Sequence, residues 1–582
     1  MKKTKIVATI GPASDEENIL RQLLIEGVDV CRLNFSHGSR EEHLVRINRI
    51  KKLREELNKP IAIMLDTKGP EIRIGKFKDM KEYHLESGDK FSITTDDILG
   101  DKNIVSVSYK DLAKDLKIGS RLLIDDGLIS MIVENIEGPR IDCRVENGGF
   151  ISSRKGVNIP GIEINLPSIT EKDIEDIKFG IENDIDFIAA SFIRTRDDVL
   201  DIRRVLEDNS NYDIKIISKV ESKQGLENLN EILEVSDGIM VARGDLGVEI
   251  MTEEVPLAQK RMIKECNIAG KIVITATQML DSMIRNPRPT RAEANDVANA
   301  VLDGTSAVML SGETASGKYP VEAVKTMAKI VEVTENSLDF SELLKSKINQ
   351  NSFTITNAIG KSSCTIAQDL SAKAIITATT SGATTRAIAK FMPKAEIIAA
   401  TTDKKVMRQL NLEWGTRSIF VENSDNTDHM LNNCIRGSLK EKLIKPGDTV
   451  VLTAGVPAGL SGSTNLIKVQ TVAEIIAKGV GLGEKSVTAR AIVVNSKEDL
   501  VSKFKENDIV IIDDADKDMM PYLSKASAIV AEVSGYTSQA AVAGISLQIP
   551  TIVGVKNIRK KIVSGEILTV NANESVIKRG IE

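Results

Sequence analysis

Cysteine is scarce in this chain. The five residues, Cys31, Cys143, Cys266, Cys364 and Cys434, stand apart with no CxxC spacing. That excludes a zinc ribbon or a disulfide framework and fits a reducing compartment. Long apolar runs are also missing. No stretch reaches the roughly 18 residues needed to span a bilayer. The N-terminal MKKTKIVATIG has lysines, but its apolar run is too short for a secretory signal. A cytoplasmic location is the expectation. Aromatic residues make up only 3% of the chain and histidines number four, His37, His43, His84 and His429. Charge of one sign is not in excess: the net charge of −6 argues against a general nucleic-acid binder. Internal repeats and low-complexity segments are absent as well.

What is present is an ordinary globular composition, 42% apolar and 27% charged, over 582 residues. That length suffices for about four domains. The most informative stretch is residues 217–245, IISKVES, a helix-like segment, then GIMVARGDLG. Each piece opens apolar and ends in charge. Lys219 and Glu221 stand two apart, so on a strand they share a face. Arg243 and Asp245 repeat the spacing. The runs before them are too apolar for exposed strands. Two carboxylates and a lysine are thus expected to converge at one end of a parallel sheet. Hard oxygen ligands beside an ammonium suit a magnesium ion and a phosphate.

Eight β-type runs occur in the first 320 residues: KIVATI, VDVCRLN, IAIMLD, DFIAASF, IKIISKV, GIMVAR, KIVITAT and SAVMLSG. Their near-continuous apolarity is that of parallel strands buried on both faces. Helical patterns separate them. Ser14 to Glu17 reads as a capping box, and Thr290 to Glu293 as another, with Gly304 ending that helix. Eight alternations predict an α/β fold, a (β/α)8 TIM barrel, with a doubly wound open sheet as the competing architecture. The barrel comprises residues 1–68 and 167–345. Residues 69–166 interrupt it with alternating segments and turns that predict a small inserted β-barrel domain, placed to act as a lid. Residues 346–475 restart the α/β pattern, and a glycine-rich link leads to an extra C-terminal domain, 487–582.

The predicted barrel strands end in polar residues: Arg32, Asn34, Ser36 and His37; Asp66, Thr67 and Arg73; Lys219 and Glu221; Arg243, Gly244 and Asp245; Thr275 and Thr277; Ser311 and Glu313. Barrel enzymes build their sites at this end.

These residues fall in TKIVATIGPAS (4–14), CRLNFSHG (31–38), LDTKGPEIR (65–73), KGVNIPG (155–161), SKVES (218–222), ARGDLGVE (242–249), TATQML (275–280), RPTRAEANDVANAV (288–301) and MLSGETA (309–315). The set closely resembles the pyruvate kinase family over about residues 1 to 475. The resemblance implies phosphoryl transfer from phosphoenolpyruvate to ADP, a homotetramer, and Mg²⁺ and K⁺ as cofactors. It implies Glu221 and Asp245 as Mg²⁺ ligands and Lys219 as the phosphoryl-stabilising group. Arg32 matches a phosphate contact. Gly244, Asp245 and Thr277 match substrate contacts. Asn34, Ser36, Asp66 and Thr67 match a K⁺ site, and Glu71 implies that activity depends on K⁺. Asn34, His37, Arg73 and Lys155 match nucleotide contacts. Thr277 and Ser311 are both candidates for the proton relay to the enolate. Thr379, Thr380, Ser381, Gly382 and Thr384 resemble a loop that binds the phosphate of a sugar-phosphate effector, faced by GVPAGLSGSTN (455–465).

The last unit resembles the swivelling phosphohistidine domain of phosphoenolpyruvate-utilising enzymes, with Gln539 where that motif has histidine. An amide is no phosphoryl carrier. This pairing of domains implies a bacterial source. Two other readings stay open on the residues alone. Lys219 could form a Schiff base in a class I aldolase-type barrel, or the chain could be a catalytically inactive metabolite-binding scaffold.

Overall fold

The computed structural model describes residues 2–162, 166–348, 354–424, 426–455 and 464–580. It falls into two compact units. The first holds residues 1–352, 385–392 and 403–418, and the second holds the remainder.

In the first unit eight parallel strands close into a barrel in sequential order: Lys5–Thr9, Val30–Asn34, Ala62–Asp66, Phe187–Ala190, Lys215–Val220, Gly238–Ala242, Ile272–Ala276 and Ala307–Leu310. The open-sheet alternative is excluded by the hydrogen-bonded pairing of the first strand with the eighth. Alternation along each strand divides the apolar residues into two cores. Val7, Val30, Met64, Phe187, Ile217, Met240 and Ile274 fill the lumen. Ile6, Cys31, Leu65, Ile188, Ile216, Ile239 and Val273 pack outward against helices. Because both faces are dry, the strands carry no polar stripe, and only their ends are free to be polar.

The helices start where local chemistry satisfies their first N–H groups. Thr290 caps Arg291–Asp303 reciprocally with Glu293, and Gly304, at φ 91°, ends it in the left-handed region. The expected box at Ser14 does not form. Ser14 closes a short 3₁₀ turn, Pro12–Ser14, and its hydroxyl is taken by Gly11, so the helix Glu17–Glu26 begins without a side-chain cap.

The bottom of the barrel is closed by residues 403–418, which fall within the span 346–475 expected as a separate α/β domain. Leu412 joins the lumen core. Around it, Arg408 Nε donates to Asp186 Oδ1 at 2.7 Å and Gln409 Nε2 to the Asp213 carbonyl at 2.7 Å. Asn411 Nδ2 reaches the Asp29 carbonyl, and Lys5 Nζ the Thr416 carbonyl. Residues 403–418 are thus a plug hydrogen-bonded to the N-terminal ends of the strands.

The insert leaves after Asp66. It is a six-stranded sheet, antiparallel except where Lys90–Thr94 runs parallel to Ile104–Ser106, plus a two-stranded ribbon of Tyr83–Leu85 and Gly149–Ile151. Its own core includes Phe77, Phe91, Ile93, Leu122 and Val133.

Most of a five-stranded sheet belongs to the second unit, in the order Thr416–Phe420 (which straddles the boundary at Ser418), Glu396–Thr401, Ala374–Ala378, Thr449–Gly455, Thr464–Thr471. That unit also holds an eight-stranded sheet. The C-terminal domain begins earlier than the expected residue 487: Glu474–Lys478 pairs with Val576–Arg579, and Val480–Leu482 pairs with Thr551–Val553. The glycine-rich stretch expected as a link is therefore edge strand, and Gly481 packs so tightly on the Ala572 backbone that a Cβ there would clash. Gln539 opens the helix Gln539–Leu547, behind the N-cap Ser538, and is exposed. The Asp514 carboxylate accepts from the Ala540 N–H in that first turn. Among the described residues no helix is long and apolar enough to cross a membrane.

Candidate active site

Lumen parity decides which strand ends contribute. Arg32 follows outward Cys31, Asp66 follows outward Leu65, and Lys219 stands two after inward Ile217, so all three point inward. They meet. Arg32 Nε donates to Asp66 Oδ2 at 2.6 Å and Lys219 Nζ to Asp66 Oδ1 at 3.2 Å. Lys219 Nζ also lies 3.0 Å from Glu221 Oε1. Glu221 stands just beyond its strand and accepts from the Phe192 N–H at 2.6 Å. Asp245 lies near enough for its charge to act on both Lys219 and Glu221.

The same parity corrects one expectation. Thr275 lies between inward Ile274 and Ala276, so it faces the helix layer. Its hydroxyl donates to Thr305 Oγ1 there and takes no part in the site. A second expectation changes in kind. Arg243 and Asp245 are not on a strand, since the sixth strand stops at Ala242 and residues Arg243–Glu249 form a short helix. Asp245 therefore turns to Glu221, whereas Arg243 turns away to Asp296 and the Ala276 and Thr277 carbonyls. Glu313 is structural too, accepting from the Leu280 and Ser311 N–H groups.

Burial sets the charges. It drives the Glu221 carboxyl up to about 7, further than Lys219 can pull it back, and it raises Asp245 as well. Burial alone would lower Lys219, but Asp66 and Glu221 outweigh it and hold the ammonium charged. Burial likewise works to raise Asp66, and the Arg32 and Lys219 cations bring it below the usual carboxylate range. The buried group holds Arg32 and Lys219 against Asp66, Glu221 and Asp245, one negative charge in excess.

Thr277 and Gln278 both adopt positive φ, 64° and 53°, unusual for side-chain-bearing residues and typical of functional turns. The turn brings Thr277 Oγ1 to 2.8 Å from the Gly244 N–H, which donates to it. Ser311 lies at the eighth strand end, half-buried. Asn34 and Asp66 are register partners on adjacent strands. Asn34 Oδ1 accepts from the Ser36 N–H. Asn34, Ser36 and the exposed His37 lie at the end of the second strand and in the loop after it, outside the cleft walls.

That cleft, about 450 Å³, runs between the barrel mouth and the insert, with Glu221 and Asp245 on one wall and Glu71, Arg73, Asp126 and Lys155 on the other. The insert's cations are already paired, Arg73 with Glu71 at 2.6 Å and Lys155 with Asp125 at 2.9 Å. Asn158 Nδ2 reaches across to Glu249 Oε1.

Among the described residues no cluster of three or more acidic, histidine or cysteine groups could enclose a metal. Two adjacent carboxylates nevertheless fit a magnesium ion. That ion commonly takes one or two protein carboxylates and completes its shell with water and substrate oxygens. Burial raises both carboxyls, and a divalent cation beside them would favour their charged forms.

Ser191 joins the site without being among the residues expected from the sequence. Lys219 Nζ donates to its hydroxyl at 2.7 Å, and that hydroxyl donates to the Thr67 carbonyl at 2.6 Å. The signal was a polar residue ending the fourth run, AASF. Asp125 and Asp126, in a loop of positive φ, were overlooked too. In the second unit Gly382 N–H donates to Thr379 Oγ1, and Thr384 Oγ1 lies 2.9 Å from Thr464 Oγ1. Thr380 and Ser381 complete that turn. Most of the facing loop, residues 456–463, lies outside the described residues.

Comparison with known proteins gives the same frame. Residues 1–324 match the family described as pyruvate kinase, barrel domain, and residues 357–470 its alpha/beta domain. Residues 504–575 match the mobile domain of PEP-utilising enzymes. A pyruvate kinase of Geobacillus stearothermophilus is 49% identical over 100% of this chain and 99% of its own length. One from Bacillus licheniformis is 48% identical over the same shares. A crystal structure of a pyruvate kinase from Cryptosporidium parvum superposes with a TM-score of 0.77 at 41% identity, covering 81% of this chain and 96% of that one. By this similarity, which runs the full length of the chain, the protein belongs to the pyruvate kinase family.

Proposed function

We propose that the chain transfers the phosphoryl group of phosphoenolpyruvate to ADP, giving pyruvate and ATP. The observation that carries this reading is the buried Arg32–Asp66–Lys219–Glu221–Asp245 chain beneath a cleft whose opposite wall bears Arg73 and Lys155. Glu221 and Asp245 would hold Mg²⁺ (or Mn²⁺), which when bound supplies positive charge to phosphate and carboxylate oxygens.

Lys219 is held charged and is fixed by three acceptors, so its ammonium meets the charge that develops on the transferring oxygens without reorganising. Arg32 binds the same phosphate from the other side of Asp66. The Gly244 N–H and the Thr277 hydroxyl, already hydrogen-bonded to each other, orient the substrate carboxylate. Arg73 and Lys155 exchange Glu71 and Asp125 for nucleotide phosphates, with His37 and Asn34 at the rim. Thr277 or Ser311 passes the proton to the enolate. Asn34, Ser36, Asp66 and Thr67 offer oxygen donors from two adjacent strand ends, a set that suits K⁺. Equal turnover in tetramethylammonium and in K⁺ salts would refute that assignment.

The aldolase reading loses ground because an ammonium held charged by two carboxylates is a poor Schiff-base nucleophile. The inactive-scaffold reading has no support from the site, whose charged groups are all in place. A phosphorylated effector at Thr379, Thr380, Ser381, Gly382 and Thr384, a homotetramer and a cytoplasmic location belong to this proposal as well. The deciding experiment is a lactate-dehydrogenase-coupled assay with phosphoenolpyruvate, ADP, Mg²⁺ and K⁺. No pyruvate formed above the enzyme-free rate would sink the proposal.

A further inference from the structure

One of the four histidines differs from the rest. His37, His84 and His429 are exposed, whereas His43 is 2% exposed and does not line the cleft. It follows the N-cap Ser39 and its reciprocal partner Glu42 at the start of the helix Arg40–Glu56. Its Nε2 lies 2.9 Å from the His37 carbonyl. A carbonyl only accepts, so Nε2 carries the proton and donates. Nδ1 is then the acceptor nitrogen, buried and with no hydrogen-bond partner among the described residues. Burial, against the pull of the His37 carbonyl, lowers the imidazole and keeps it neutral. The ring stacks on Phe35, with centroids 4.0 Å apart and planes 15° from parallel.

His43 thus grips the loop after the second strand at two points, the Phe35 ring and the His37 carbonyl. Other groups fix the backbone between them. The Phe35 N–H donates to the Asp66 carbonyl, and the Lys172 ammonium donates to the Phe35 carbonyl at 2.8 Å. Gly38 turns the chain back at φ 80°, and a Cβ there would stand 2.8 Å from Glu42 Oε2. Packing alone does not account for a histidine at position 43. A phenylalanine would stack on Phe35 without burying an orphaned nitrogen, which costs free energy.

We propose that His43 is a positioning residue with two separable duties. Its ring sets Phe35, and through it the flanking Asn34 and Ser36 offered to K⁺. Its Nε2–H sets the His37 carbonyl, and through it the imidazole offered to the nucleotide. This rests on Asn34 and Ser36 serving K⁺ and His37 serving the nucleotide, as proposed above.

Two substitutions separate the duties. His43→Phe keeps the stack and deletes the donor. His43→Gln keeps an amide donor at the Nε2 position and deletes the ring. ADP affinity is read by titration calorimetry on the full-length protein with Mg²⁺ and K⁺. The K⁺ concentration for half-maximal turnover is read by steady-state kinetics. His43→Phe should weaken ADP by about three- to tenfold, the range for one hydrogen bond, and leave the K⁺ constant in place. His43→Gln should raise the K⁺ constant by about three- to tenfold, the range for an aromatic pair, and leave ADP affinity in place.

A residue that only supports the fold would lower kcat and thermal stability in both variants without separating the two constants, and that result overturns the proposal. So does ADP affinity unchanged in His43→Phe. Should His43→Phe fold poorly, His43→Asn takes its place. The shorter amide nitrogen falls near the Nδ1 position, out of reach of the His37 carbonyl, so it should weaken ADP where His43→Gln does not. Wild-type protein that binds no ADP would end the proposed activity and this inference together. Wild-type binding that is indifferent to His43 would end this inference alone.

Discussion

Lys219 Nζ lies 3.0 Å from Glu221 Oε1, and that contact joins the two halves of the site, the ammonium that faces a phosphate and the carboxylate that faces a metal. Truncating the lysine separates them. Lys219→Met should lower ATP formation by about 10²- to 10³-fold, the usual loss when one preorganised charge is removed. Pyruvate enolisation, read as loss of tritium from the methyl group, should fall much less, because Thr277, Ser311 and the carboxylate pair remain. Equal loss of both reactions would show that the lysine has no separate phosphoryl role.

Ser191 should matter chiefly through Lys219. Its hydroxyl accepts from Nζ at 2.7 Å and hands its own proton to the Thr67 carbonyl, so it fixes the direction of the ammonium. Ser191→Ala should reduce kcat by about tenfold, in line with the loss of one hydrogen bond to a charged group, and leave KM for ADP nearly unchanged. Ser191→Thr, which keeps the hydroxyl, should recover most of the loss. A shift confined to KM for ADP would assign Ser191 to the nucleotide instead.

The raised Glu221 predicts an unusual pH dependence for the metal-free protein. Its folded value of about 7 lies above the unfolded carboxylate value of about 4.3. Between these the folded state holds more protons, so stability falls as pH rises through the window and levels off above it. Mn²⁺ prefers the charged form and should reverse the trend. Thermal melts at about pH 5.5 and about pH 8, with and without Mn²⁺, read this directly. Glu413 titrates in the same range, so the decisive quantity is the difference between wild type and Glu221→Gln. An unchanged slope in the variant would remove Glu221 from the account.

Much of this site was legible in the chain because a barrel imposes period two on its strands and opens only their ends to polarity. Arg32, Asp66 and Lys219 followed from that rule. Thr275 failed because alternation alone does not say which face is inward. Its neighbours Ile274 and Ala276 settle that only once the lumen core is seen. Asp245 was placed correctly for an incorrect reason, since a helix begins where strand spacing was assumed. Ser191 and Asp125 escaped notice because their roles depend on partners more than twenty residues away. The plug at residues 403–418 was invisible for a related reason. Only Leu412 of it enters the lumen core, although Leu410 and Trp414 are buried too, and its polar attachments are side chains reaching backbone carbonyls and carboxylates distant in sequence.

That plug supplies a prediction about stability. Arg408 Nε donates to Asp186 Oδ1 at 2.7 Å and Nη2 to Asp184 Oδ2 at 2.8 Å. Asp186 is fully buried and its other oxygen accepts from the Ile63 N–H at 2.8 Å. Burial already raises Asp186, and the Arg408 cation is what opposes it. Arg408→Ala leaves that carboxylate without its hydrogen-bonded guanidinium, and removing one partner of a buried pair costs about 3–5 kcal/mol. Arg408→Ala with Asp186→Asn removes the uncompensated charge and should recover part of the loss. Urea denaturation followed by tryptophan fluorescence suits the test, because the chain's single tryptophan, Trp414, lies within the plug. If the single and double variants lose the same stability, the plug is held by the packing of Leu410, Leu412 and Trp414 rather than by the Arg408–Asp186 pair.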